Sequence, residues 1–217
     1  PKNMNLRVAA FAVLLLTATQ AHADIVLTDV WINEFHYDNA GADTGEFVEI
    51  VAPNTYDPIA SGLILELYNG NGGAVYDTFA VASTPALVGG FTFYVVQTTG
   101  LQNGAPDGIA LSDSSGLYQF LSYEGSFVAV GGAFDGRTST DVGVSEPNNT
   151  PVGQSLQLTG VGNNYSDFTW IGPDAETPDA LNVGQSFSST AVPEPSSLML
   201  LGVSLAFGVA TSRRRRA

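Results

Sequence analysis

Leu63-Ile64-Leu65-Glu66-Leu67-Tyr68-Asn69-Gly70-Asn71-Gly72-Gly73-Ala74-Val75-Tyr76-Asp77-Thr78-Phe79 reads as two strands around a turn. Leu63, Leu65 and Leu67 fall on one side of an extended chain, and Ile64, Glu66 and Tyr68 on the other. That period of two is expected of a strand with one face on a core and one in water. Between the apolar runs, Asn69-Gly70-Asn71-Gly72-Gly73 offers several residues that accept positive φ, so the chain reverses as a hairpin.

The same grammar extends outward. Residues 24–190 hold 22 of the 24 glycines and no long segment with apolar residues at helical spacing. Short β-branched and aromatic runs alternate with Gly, Asn, Asp and Pro clusters. Strands are predicted near Ile25–His36, Glu46–Val51, Leu63–Tyr68, Val75–Phe79, Phe91–Gln97, Ile109–Ser112, Leu117–Ser122, Ser155–Leu158 and Phe168–Ile171. This is the count of an all-β sandwich or barrel. The stretch from Gly131 to Gly153, with Glu146-Pro147-Asn148-Asn149-Thr150-Pro151, has no obvious strand; it is either a functional loop or a meandering edge. Thr177–Val192 is rich in Ser, Pro and Thr and reads as a linker, which places the domain at residues 24–176.

Composition narrows the chemistry. A chain of 217 residues, 44% hydrophobic and 13% charged, supports one core. It has no cysteine and only two histidines, His22 and His36, which excludes disulfides, thiol chemistry and a zinc site built from several His or Cys. Between Asp24 and Val192 there are 20 acids and one base, Arg137, a local balance of −19. Such a body repels phosphate backbones, so direct nucleic-acid binding is not expected.

Both ends read as addresses. Met4–Ala23 has Arg7, an apolar run from Val8 to Leu16, and Ala21-His22-Ala23 as a small-x-small cleavage site, a signal peptide over residues 1–23. Pro1–Asn3 precede Met4 and read as upstream sequence or a longer basic region. Cleavage after Ala23 starts the mature protein at Asp24. At the other end, the run from Leu198 to Ala210 is followed by Arg213, Arg214, Arg215 and Arg216. A helix from Ser196 to Ser212 spans roughly 25 Å, enough for a transmembrane helix, and the arginines hold its end in the cytoplasm.

Pro193-Glu194-Pro195, a hydrophobic helix and a basic cluster, in that order, resemble the PEP-CTERM sorting signal over residues 193–217. The resemblance implies a Gram-negative exporter whose exosortase recognises the Pro-Glu-Pro element. It also implies transient membrane anchorage and delivery to the cell surface or extracellular matrix. The body blocks WINEFHYDNAGADTGEFVEI (31–50), LILELYNGNGGAVYDTF (63–79), GLQNGAPDGIAL, FLSYEG, PVGQSLQLTG and DFTW resemble a bacterial lamin tail domain. That resemblance implies an immunoglobulin-like β-sandwich, a module found on nuclear lamins and on secreted bacterial proteins that include nucleases. It carries over no catalytic residue, so the expectation is a non-enzyme with a structural or binding role, or an accessory to a secreted nuclease.

Candidate sites are few. The loop Asp38–Glu46 offers Asp38, Asn39, Asp43 and Glu46 as oxygen ligands for Ca²⁺, the one cofactor considered, although it lacks the EF-hand pattern. Its plainer reading is a hairpin loop with Asx turns. His36 is conceivable as a base, but Ser155 lacks a nucleophile elbow and sits in a predicted strand, so a structural histidine is expected. Glu34, Glu46, Glu49 and Glu66 are the carboxyls on or beside predicted strands that could form a glycosidase pair. Tyr68, Tyr76, Tyr118, Phe120 and Tyr123 could stack on extracellular polysaccharide or anchor a surface protein, whereas Trp31 and Trp170 are expected in the core.

Overall fold

The computed structural model describes residues 30–82 and 85–188. The segments read from the sequence as a signal peptide and as a C-terminal helix, and the start of the first predicted strand, lie outside them. Among the described residues no helix is long and apolar enough to cross a membrane.

Among the described residues twelve strands form two sheets: β1 (Trp31–His36), β2 (Phe47–Pro53), β3 (Ile64–Asn69), β4 (Ala74–Ala80), β5 (Ala86–Val88), β6 (Phe91–Gln97), β7 (Asp107–Asp113), β8 (Gly116–Tyr123), β9 (Thr140–Asp141), β10 (Gln154–Gly162), β11 (Phe168–Ala175) and β12 (Gln185–Phe187). One sheet runs β11-β10-β1-β2-β6-β5, with β12 also on β10; the other runs β4-β3-β7-β8-β9. Packed together they make a β-sandwich. All nine predicted strands are present; β5, β9 and β12 are additions of two or three residues. One helical turn, α1 (Pro58–Ser61), joins β2 to β3, with Asp57 capping its first N–H groups and Gly62 closing it at φ +70°.

The core between the sheets takes Phe35, Val48, Ile50, Leu65, Leu67, Leu111, Leu156 and Leu158, while Trp31 and Phe93, register partners of Val51, pack against Phe187; all are at or near zero exposure. In β1 the register against β2 shifts between Ile32 and Glu34, an extra residue at Asn33. The Ile32 N–H donates across the sandwich to Gln119 Oε1 at 2.6 Å, a direct polar tie between the two sheets.

The hairpin of residues 63–79 forms as its sequence dictates. Leu63, Leu65 and Leu67 are buried in the main core. Gly73, at φ +75°, lies so close to the Val128 carbonyl that a Cβ would sit 2.2 Å from its oxygen. The opposite face of β3 departs from the water-facing expectation. Tyr68, Ala110, Leu117 and Phe120 on that side form a second cluster with Phe127, Ala129 and Phe134 from the segment after β8. Tyr68 Oη donates to Glu66 Oε2 at 2.9 Å, and the same oxygen accepts the Ala133 N–H at 2.9 Å. The chain after β8 thus folds back as a cover on the five-stranded sheet.

The C-terminal boundary also differs from the composition-based reading. Residues 177–187 lie on the seven-stranded sheet: β12 pairs in parallel with Gly160–Gly162, and the Phe187 ring stacks 4.2 Å from Phe91. Thr177, Asn182 and Gln185 of this polar segment hydrogen-bond through their side chains to the sheet.

Phe134 is a test of the outer cover, because it is fully buried on a segment with no long strand. Phe134→Ala is expected to cost about 3–5 kcal/mol in denaturant unfolding, against about 0.5 kcal/mol or less for a solvent-facing loop side chain.

Candidate functional site

The outer face of the seven-stranded sheet carries a row of buried polar side chains. Val48 and Ile50 point into the core, so Glu49 between them points outward; Phe35 and Leu156 do the same for Glu34 and Gln157. Glu34 is the cross-strand partner of both Glu49 and Gln157. Glu34, Glu49 and Gln157 nevertheless have zero exposure, because residues 176–187 cover them.

Glu34 accepts from Ser155 Oγ (2.5 Å), Gln157 Nε2 (3.2 Å), Thr177 N (2.8 Å) and Thr177 Oγ1 (3.0 Å). Glu49 accepts only from Asn33 Nδ2 (2.9 Å) and Asp179 N (2.7 Å). Asn182 Nδ2 spans the carbonyls of Asn33 and Leu158, and Gln185 Nε2 donates to Asn33 Oδ1 at 2.6 Å. Every named donor is neutral. Burial raises the Glu34 carboxyl above its ordinary range and pushes Glu49 up to about 8, the Glu34 charge adding to the second effect. Both effects favour the neutral form of the carboxyl.

His36 lies farther along the same face of β1. Its Nδ1 is 3.0 Å from Glu146 Oε1, and Glu146 Oε2 accepts the N–H groups of Tyr37 (2.7 Å) and Asp38 (2.9 Å). Burial disfavours the imidazolium, but the Glu146 carboxylate outweighs it and the His36 pKa rises. With 1% exposure the ring is a structural tie for the loop at 143–150. Ser155, in β10 as expected, serves Glu34.

In the acidic loop Asp38, Asn39 and Asp43 lie close together, while Glu46 is engaged by the loop at 100–101. Glu46 Oε2 is occupied by the N–H groups of Gly100 and Leu101. Asn39 Nδ2 donates to the Thr44 carbonyl, and Asp43 is held by Asn103 Nδ2 at 3.2 Å. Asp38 lies beside Asp43, and burial together with that charge raises its pKa. Asp43, Thr44, Glu46, Thr98 and Gln102 line an open cleft of about 470 Å³. Among the described residues no three His, Asp or Glu side chains are grouped to hold a metal ion.

The aromatic platform is also absent from the surface. Tyr68, Tyr118, Phe120 and Tyr123 are buried, and Tyr76 is half-buried with its hydroxyl accepting the Gln102 N–H. Trp31 and Trp170 are in the core as expected. The sequence reading missed the pairing of Glu34 with Glu49 and its cover. Glu49 sits between Val48 and Ile50 in an otherwise apolar strand, which is the available signal for a second buried face. Ala21, Ala23, Pro193, Glu194, Pro195, Arg213, Arg214, Arg215 and Arg216 lie outside the described residues.

The Glu49 environment fixes a sign for pH dependence. A carboxyl whose folded pKa exceeds its unfolded value contributes stability that is complete below the unfolded value and lost as pH rises through the folded one. The melting temperature is therefore expected to fall between about pH 4.5 and about pH 8, with up to about 5 kcal/mol at stake for this group. Raised His36 adds a loss of the same sign above pH 6.5. Glu49→Gln should flatten most of the slope in a melting series from pH 5 to 9.

Comparison with known proteins bears on the end of the chain. No curated protein and no solved structure matches it. Residues 191–216 match the PEP-CTERM protein-sorting motif, so the chain carries a signal for exosortase-dependent sorting to the cell surface, with only residues 189 and 190 between Ser188 and the match.

Proposed function

We propose that this protein is a secreted, non-catalytic, lamin-tail-like β-sandwich that exosortase sorting delivers to the cell surface or extracellular matrix. The sorting motif at 191–216 is the observation that carries the reading. The signal peptide read at residues 1–23 supports export, and the two-sheet architecture agrees with the immunoglobulin-like module implied by the sequence resemblance. The non-catalytic part is supported by the use made of the candidate acids. Glu34 and Glu49 lie under a cover, Glu46 accepts two backbone N–H groups, and Glu66 accepts Tyr68 Oη and Ala133 N–H. The surface charge that remains keeps an exported domain dispersed and discourages adhesion to polyanions.

The test is the intact mass of the protein recovered from membranes and from culture matrix of its native host. The expected matrix species begins at Asp24 and lacks Arg213–Arg216, and replacing Pro193-Glu194-Pro195 by alanines should strand the chain in the membrane with its arginines. Retention of Arg216 in every wild-type fraction would contradict exosortase processing. Sugar release from matrix polysaccharide that a single Glu→Gln change abolishes would contradict the non-catalytic role.

A further inference from the structure

We propose that residues 176–187 are a proton-dependent clasp that sets the length of free chain between the sandwich and the sorting motif. The clasp is closed while one of the Glu34 and Glu49 carboxyls is protonated and released when both are ionised. The inference rests on the proposed role of residues 191–216 in sorting.

Two carboxyl groups at paired positions of adjacent strands are fully buried, and the layer above them is the clasp itself. The groups facing the pair can be named element by element. From β10 come Ser155 and Gln157, both neutral, and Val95 of β6 stands opposite Glu49. From the clasp come Thr177 and two more acids, Glu176 and Asp179, whose charges also oppose ionisation of the pair. His36, two residues along β1, is engaged by Glu146. The one base of the body, Arg137, belongs to the cover on the other sheet. Glu34, with four donated hydrogen bonds, is the site that keeps a negative charge; Glu49, with two, is the site that keeps a proton.

Removing that proton places a second buried charge beside the first with no cation to meet it. The segment over the pair donates Thr177 N–H to one carboxyl and Asp179 N–H to the other, so hydrating the second charge works against both bonds. With those pins lost, residues 182–188 are still held by Asn182 Nδ2 on the Asn33 and Leu158 carbonyls, by Val183 N–H on Gln157 Oε1, by Gln185 on Asn33, and by the β12 pairing and Phe187 ring contacts, all of which full opening must also displace.

The consequence is a change of reach. With the clasp closed, the chain from Ser188 to Pro193 extends at most roughly 17 Å. Freed back to Glu176, it extends to roughly 58 Å. A sandwich held within 17 Å of the Pro-Glu-Pro element crowds any enzyme that must grip it, whereas the longer tether removes that obstruction.

The test is hydrogen exchange of the full chain in detergent micelles at pH 6 and pH 9, corrected for intrinsic rates, in wild type and Glu49→Gln. At pH 9 the wild type should lose at least tenfold protection in peptides covering both 176–184 and 185–188, while Leu65–Leu67 stays protected. Glu49→Gln should keep the clasp protected at both pH values, and Glu34→Gln, which also removes the double charge, should do the same if the first variant folds poorly. Unchanged wild-type protection, equal loss in the neutralised variants, or opening that spares 185–188 would each overturn the proposal. Exchange needs no exosortase, so failure of the clasp is distinguishable from failure of sorting, which is read from intact mass.

Discussion

A body with 20 acids against one arginine and one histidine can meet few of its interior carboxylates with a cation, His36 beside Glu146 being one such pair, and this constraint shapes the whole sandwich. Buried acids must be met by neutral donors, by backbone N–H groups or by a proton. The molecule uses all three, and each carboxyl ties down a segment distant in sequence. Glu46 holds the loop at 100–101, Glu66 the cover at 133, Asp107 the β3–β4 turn through Gly70 N–H, and Glu34 the segment at 177. Glu146 fixes the exit of β1 through two backbone N–H groups and the sole histidine of the described residues. In a chain without cysteine these carboxyls join distant loops, with the difference that their strength follows pH.

Much of the fold was legible in sequence because its main strands obey simple periodicity. Leu63, Leu65 and Leu67 marked the core face of β3, and the glycine-rich turn after Tyr68 marked its reversal. The outer faces were less legible. Tyr68 and Phe120 alternate with core residues as surface side chains would, and only the non-periodic segment with Phe127, Ala129 and Phe134 converts them into a second core. That segment lacks a strand pattern because it crosses the sheet rather than extending it. Residues 177–187 escaped for a related reason: Thr177, Asn182 and Gln185 are polar by composition yet buried by hydrogen bonding, which a hydropathy pattern cannot register.

The candidate sites follow the same logic. A cluster of Asp, Asn and Glu at 38–46 suggested oxygen ligands, but composition cannot specify where the oxygens turn, and Glu46 turns to the backbone of the next loop. The aromatic residues that suggested a binding platform fill both cores. What the sequence identified most directly was its C-terminal address, since three ordered parts need no tertiary structure to be recognised. The fold adds that the sandwich reaches nearly to this address, through a segment pinned on buried acids.

The account depends most on the claim that Glu49 is a neutral acid inside the folded protein. Carbon-13 NMR of side-chain-labelled glutamate in the full chain measures this directly, with Glu49→Gln assigning the resonance. The account predicts one carboxyl carbon, missing in that variant, that remains at its protonated shift at pH 6.5 and titrates with a midpoint near 8. A Glu49 carbon already at its ionised shift by pH 6 would contradict it.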